Sequence, residues 1–303
     1  MILERPNGVI VAPLVLFGCW LGVLVMGIDV REITDKDRER CVWIEKNALP
    51  NVIYIDDVWE HFTSKKDGIF LAVEKENELG GFGKLTTLFD DIGWLETIRI
   101  HPNYQGQGLG NALYMAYLSH AQALGLKKLG LYTEAWNTRS ENLAKKHGFI
   151  KKGNFADYRK DVDKNAPYHG SFEPIENHEK NIISKYYGKM NEFCIINKTF
   201  FPAIPGLDQE LVKRQWAFQD DHGNFVVVGY RMQPHKALFL AYYDGDMIEI
   251  INFVNHLGQK LGSTQISCIR NTNERKVINE LNDHGFEGVE NFMTLWRDID
   301  NLS

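Results

Sequence analysis

The sequence predicts a mixed α/β fold with a mostly antiparallel sheet flanked by helices, followed by a second, degenerate α/β copy of the same design. Three observations predict it. A glycine-rich turn, Gln105-Gly106-Gln107-Gly108-Leu109-Gly110, lies between a strand-like run and an amphipathic helix. Strand-like and helix-like segments alternate on both sides of it. Residues also recur at a constant offset of 137: Gln122 on Gln259, Leu124-Gly125 on Leu261-Gly262, Asn142 on Asn279, and His147-Gly148-Phe149 on His284-Gly285-Phe286.

The elements follow in order. Ile28 to Ile33 alternates as a strand, and Thr34 to Asp37 caps a helix expected to reach about Asn47, before Pro50. A short helix over Asp57 to Ser64 precedes a strand at Gly68–Glu74. Asn77 to Gly81 reads as a turn into a strand at Phe82–Leu88, giving a hairpin. Asp90 to Gly93 turns the chain into the strand Trp94–Ile100. Beyond the glycine turn come a helix (Leu109–Leu124), a strand (Leu129–Thr133), a helix (Arg139–His147) and a closing strand pair (Phe149–Val162). Asp163 to Lys180, polar and holding Pro167, Gly170 and Pro174, reads as a linker. The expected organisation is thus a hydrophobic segment at 1–27, a first domain at 28–162, a linker at 163–180 and a degenerate copy at 181–303.

A chain of 303 residues suits two domains of ordinary size. A net charge of −6 argues against nucleic acid as a partner, since binding it calls for a basic face. Cys19, Cys41, Cys194 and Cys268 are scattered, without metal-ligand spacing, and read as reduced thiols; no metal is expected. Gly8 to Ile28 is 21 residues without a charge, close to the ~20 that span a bilayer. It reads as an N-terminal anchor, a signal peptide without a clear cleavage site, or residues upstream of a true start at Met26. The expectation is a cytoplasmic protein, with membrane attachment possible only through residues 8–28.

A glycine-rich turn from strand to helix is an anion cradle: the backbone approaches closely, and the first free N–H groups of the helix point at the ligand. A dinucleotide fingerprint from Gly106 would end on Asn111, where glycine is required, and no Gly-Lys-Ser/Thr follows as a P-loop would demand. What remains is Gln-x-x-Gly-x-Gly at Gln105, Gly108 and Gly110. With the preceding strand, the His101-Pro102-Asn103-Tyr104 turn, and the block Asn137-x-x-Ser140-x-x-Leu143 through Gly148-Phe149, it resembles the GCN5-related N-acetyltransferase (GNAT) superfamily over roughly Ile28 to Val162.

The resemblance implies acetyl-CoA as cosubstrate. A bulge would splay two parallel strands, and the pantetheine arm would lie in the gap against the backbone of Ile98, Arg99 and Ile100. The pyrophosphate would sit on Gln105, Gly106, Gln107, Gly108, Leu109 and Gly110, with Asn137 and Ser140 completing the site. Glu96 is the expected general base; its alternative is a solvated charge paired with Arg99 or a lysine. Where many members carry a Tyr that protonates the departing thiolate, this chain has Ala144, with Tyr132, Tyr158 or solvent as substitutes.

At the same offset the glycine turn falls on Tyr242-Tyr243-Asp244-Gly245-Asp246-Met247, and Asn137 on Glu274. Such an acidic loop would repel a pyrophosphate, so only the first copy should bind the cosubstrate. The expected activity is acetyl transfer to a primary amine of a small molecule or amino acid. Acetylation of a protein N-terminus or lysine, and a non-catalytic acyl-CoA-binding module, are the alternatives. The Glu96–Arg99 strand and two-domain layout also resemble histidine N-acetyltransferase-like proteins.

Overall fold

The computed structural model describes residues 27–50 and 52–299. The hydrophobic segment read at 8–28 lies almost wholly outside them; among the described residues no helix is long and apolar enough to cross a membrane. Packing divides the chain into two units. Of the described residues, the first takes those up to Leu131, Arg139–Ile150 and those from Trp296 on; the second takes Tyr132–Thr138 and Lys151–Leu295. The linear boundary drawn at residue 162 therefore differs from the division that packing makes.

The first unit holds β1 (Ile28–Glu32), α1 (Arg38–Ala48), α2 (Trp59–Thr63), β2 (Gly68–Lys75), β3 (Glu78–Thr87), β4 (Ile92–Ile100), α3 (Leu109–Ala123), β5 (Lys128–Glu134) as far as Leu131, and α4 (Thr138–Lys146) from Arg139. Its strands run β1-β2-β3-β4-β5, antiparallel except for the parallel pair β4 and β5. Thr34 and Asp37 form the expected capping box, and the Arg31 guanidinium bridges Asp37 and Glu74.

Two sequence expectations change. The hairpin turn is Glu76-Asn77, both at positive φ (54° and 64°), so Gly80 and Gly81 lie inside β3 rather than in the turn. A Cβ on Gly80 would stand 2.6 Å from Leu109 and 2.9 Å from Tyr104, which explains a glycine at that strand position. The closing pair at Phe149–Val162 is instead one 12-residue strand, β6 (Ile150–Asp161), running through Gly153 and Asn154 without a turn.

The second unit takes β6 from Lys151, then β7 (Glu173–Pro174), α5 (Asn181–Ser184), β8 (Phe193–Ile196), β9 (Thr199–Pro202), α6 (Leu207–Lys213), β10 (Ala217–Gln219), β11 (Phe225–Gly229), β12 (Ala237–Asp244), α7 (Met247–Leu261), β13 (Gln265–Asn271), α8 (Arg275–Asp283) and β14 (Glu287–Asp298) as far as Leu295. Strands run β14-β6-β13-β12-β11-β10-β7, with β8-β9 a separate hairpin. The core gathers Val226, Leu238, Leu240, Ile250, Val254 and Ile266. The segment read as a linker is built into this unit: Phe172 and Ile175 are buried, and β7 pairs with β10.

The repeat is visible as structure. β5, α4 and β6 recur as β13, α8 and β14 with identical lengths at the offset of 137. β14 ends in the first unit. There Trp296 packs on Trp94 with ring centroids 5.6 Å apart, Ile299 N–H donates to the Lys127 carbonyl (2.8 Å), and Arg297 donates to the His147 carbonyl.

Candidate active site

The site begins where β4 and β5 part. They pair from Ile92 and Lys128 to Leu95 and Leu131 and no further, although β4 continues to Ile100 and β5 to Glu134. The opening coincides with a bulge on the other edge of β4. Phe82 opposes Arg99 and Lys84 opposes Glu96, so one residue of β3, Gly83, faces Thr97 and Ile98. Thr97 takes φ +62°, a costly conformation for a β-branched residue. A Cβ on Gly83 would fall on the Tyr117 hydroxyl and within 3.3 Å of the Ile98 Cα, so only glycine fits opposite the bulge. Ile98, Arg99 and Ile100, half-buried, thus lie on a strand edge that β5 has left.

β4 leads into the glycine turn. Gly106 (φ +77°) and Gly108 (φ +95°) both need the left-handed region, and Gly108 is the N-cap of α3. No side chain caps that helix, so its first N–H groups, those of Leu109 and Gly110 among them, have no intrahelical partner. Gln105 is fixed on both sides: its amide donates to the Ile100 carbonyl (3.0 Å) and its oxygen accepts from Arg139 at the start of α4. Gln107 likewise bonds to the Asn103 carbonyl and to Lys75. Gly110 serves packing, because a Cβ there would stand 2.9 Å from Leu143 of α4. Ser140 follows Arg139 in the first turn of α4, half-buried. Asn137 belongs to the second unit, where its N–H closes the turn after β5 on the Glu134 carbonyl (2.9 Å).

Glu96 is buried, with 7% of its surface exposed, and its carboxylate accepts from the Thr86 hydroxyl across the strands. Lys84, the residue opposite, is buried too and donates to the Phe62 carbonyl (3.1 Å). The Arg99 guanidinium bonds to the Ile98 carbonyl and lies 6.0 Å from the Tyr54 ring. Ala144 is fully buried in α4. Two residues that sequence reasoning missed complete the surroundings. The Tyr54 hydroxyl meets that of Thr97, and the segment carrying Tyr54 is anchored by buried Glu45, which accepts from the N–H groups of Tyr54 (2.9 Å) and Ile55 (2.8 Å). Burial pushes the Glu45 carboxyl up. Nothing in their spacing announces either residue.

The second unit opens in the same way and is filled. β12 and β13 pair from Ala237 and Gln265 to Phe239 and Ser267, then part. Arg270 of β13 donates to the Ala241 carbonyl of β12 (2.6 Å), its guanidinium 5.5 Å from the Tyr243 ring. Asp246 caps α7, accepting from the N–H groups of Ile248 (2.8 Å) and Glu249 (3.3 Å). The sequence comparison of the two turns needs correction: Tyr242 to Asp244 belong to β12, and the β12–α7 turn is only Gly245-Asp246. A guanidinium strut and a cap occupy this opening, in place of an acidic loop.

Residues 32–149 match the Acetyltransferase (GNAT) family. This stretch is a GNAT-family domain within the chain. The chain is 34% identical over 83 residues to a mycothiol acetyltransferase of Actinosynnema mirum, covering 27% of the chain and 28% of that relative. It is 37% identical over 94 residues to the uncharacterized N-acetyltransferase YedL of Escherichia coli, covering 30% of the chain and 59% of that protein. The matches thus span less than two thirds of either relative's length. The fold over 90% of the chain is similar to 99% of a tandem GNAT protein from the clavulanic acid biosynthesis pathway (TM-score 0.58, 12% identity).

Proposed function

We propose that the chain is an acetyl-CoA-dependent N-acetyltransferase that acetylates a primary amine of a small molecule or amino acid by direct transfer, using the first unit alone. The observation that carries this reading is the parting of β4 from β5 beside an uncapped helix N-terminus. The residues fit the cosubstrate: Gly106 and Gly108 leave room for a close anion, and the first N–H groups of α3 are available to it. Bound acetyl-CoA would supply an activated acetyl group as a thioester.

This chain's own residues would do the rest. Gln105, Gly106, Gln107, Gly108, Leu109 and Gly110 would hold the pyrophosphate, and the free edge of Ile98, Arg99 and Ile100 the pantetheine arm, with Ser140 as a further contact; Asn137, carried by the second unit, is left out of this site. Glu96 would take the proton that the acceptor ammonium gives up, its ionised form steadied by the Thr86 hydroxyl. Ala144 offers no proton to the departing thiolate, a leaving group that solvent can protonate.

Incubation with acetyl-CoA and an amine panel, reading free thiol and acetylated product by mass, tests the proposal. Release of coenzyme A with one amine or more, lowered about 10²-fold by Glu96→Gln with acetyl-CoA affinity unchanged, is expected. Binding of acetyl-CoA without thiol release for any amine would make the protein a non-catalytic module.

A further inference from the structure

β4 carries two side chains of opposite charge on either side of its bulge. Glu96 precedes the bulge and Arg99 follows it, about 10 Å on along the strand. These two and the residues around them, Glu45, Tyr54 and Thr97, all belong to the first unit. The head of Arg99 turns back toward Glu96. It donates to the Ile98 carbonyl (3.2 Å) and lies 6.0 Å from the ring of Tyr54, whose hydroxyl meets that of Thr97. The guanidinium therefore stands beside the bulge, where β4 has lost its pairing with β5.

This guanidinium is under-used. Arg99 is half-buried, its bond to the Ile98 carbonyl engages one of five N–H donors, and its Nε is buried with no hydrogen-bond partner among the described residues. No carboxylate among those residues bonds to it. Glu45 is close enough to feel its charge but forms no ion pair with it. One Glu45 oxygen is taken by the N–H groups of Tyr54 and Ile55, the other has no partner among the described residues, and burial pushes the carboxyl up. Glu96 is held by the Thr86 hydroxyl. A guanidinium drawn half out of water with most of its donors idle favours an anion, and its planar fork matches a carboxylate.

We propose that Arg99 is a specificity-determining residue that receives the carboxylate of the acceptor, which is then an α-amino acid presenting its amine toward Glu96. Such an acceptor carries amine and carboxylate on one carbon, which suits two protein groups on one strand with the head of the second turned toward the first. This deepens the acetyl-transfer reading above and rests on it. A guanidinium that merely packed on Tyr54 would be indifferent to the charge of the acceptor.

The test offers phenylalanine, leucine and lysine, each beside its carboxamide and beside the amine of the same skeleton that lacks the carboxylate: phenethylamine, 3-methylbutylamine and 1,5-diaminopentane. With acetyl-CoA, kcat/KM should favour the amino acid over both companions by about tenfold or more in at least one set. Arg99→Gln should raise KM for that amino acid about tenfold, act less on kcat, and collapse the preference. Arg99→Lys, which keeps the charge and loses the fork, should retain part of it. The comparison in the unaltered protein stands whether or not a variant folds. Equal use of the three companions in every set, preference for a carboxamide or a decarboxylated amine, turnover of none, or an unchanged preference in Arg99→Gln would overturn the inference. Calorimetry with acetyl-CoA separates the failures: binding and turnover without the preference sink this inference alone, and no binding sinks the acetyl-transfer reading with it.

Discussion

A threonine at φ +62° crowds its branched side chain against its own backbone, and this chain accepts that cost where β3 and β4 slip register. Opposite stands Gly83, over which the Tyr117 hydroxyl lies, itself buried without a hydrogen-bond partner among the described residues. Gly83→Ala should destabilise the protein by about 1–3 kcal/mol in urea unfolding, the usual size for overpacking a filled site. Adding Tyr117→Phe should recover part of that loss, since the hydroxyl removed is the clashing atom and bonds to nothing; an additive or worse double variant would contradict the packing described. His147 gives a second test. Its ring stacks on Tyr114 at 4.9 Å and bonds to Asn111, and burial holds its imidazole down at about 4, against an ordinary 6.5. The unfolded chain therefore takes up the proton first. The stability from neutral His147 is complete above pH 6.5 and is lost as pH falls from 6.5 toward 4. The urea midpoint should fall over that window, and less steeply in His147→Gln; equal slopes would contradict the assignment.

At the scale of elements, sequence reasoning found what glycines, caps and periodicity announce. Gln105 to Gly110 advertised the turn, and α3 begins at Leu109 as expected. It misplaced what depends on a partner strand. Gly80 and Gly81 look like turn residues until Leu109, Tyr104 and Ile100 are packed over them, and the bulge rests on Thr97, a residue type that local propensity would assign to a plain strand. The second unit's turn was misread for a similar reason. A constant offset cannot show that His101–Gly108 has shrunk to Gly245-Asp246, because the helices that follow, α3 and α7, keep nearly the same register while the strand before the turn shifts. Arg270, which sequence reasoning did not single out, is a strut because β12 parts from β13 beside it.

For the whole molecule, the least legible feature is that each unit borrows chain from the other's span. Tyr132–Thr138 packs with the second unit, and the chain from Trp296 on with the first. Neither exchange leaves a mark in composition or spacing. A Cβ on Gly130 would stand 2.7 Å from Trp94 and 2.8 Å from Trp296, so β5 carries glycine to admit both indoles. Trp296→Ala should cost about 3–5 kcal/mol of stability in urea unfolding, as for a buried aromatic core residue. A cost below about 1 kcal/mol, no more than a surface change, would mean that the last strand does not complete the first unit.

The central claim is that the uncapped, opened first unit holds acetyl-CoA and the strutted second unit does not. Isothermal titration of the full chain with acetyl-CoA tests it most directly. One site per chain is expected, weakened about tenfold or more by Gly108→Glu, which sets a carboxylate against the phosphates at a position already at φ +95°, and kept in Arg270→Ala. Two equivalent sites, no binding, or full affinity in Gly108→Glu would contradict the account.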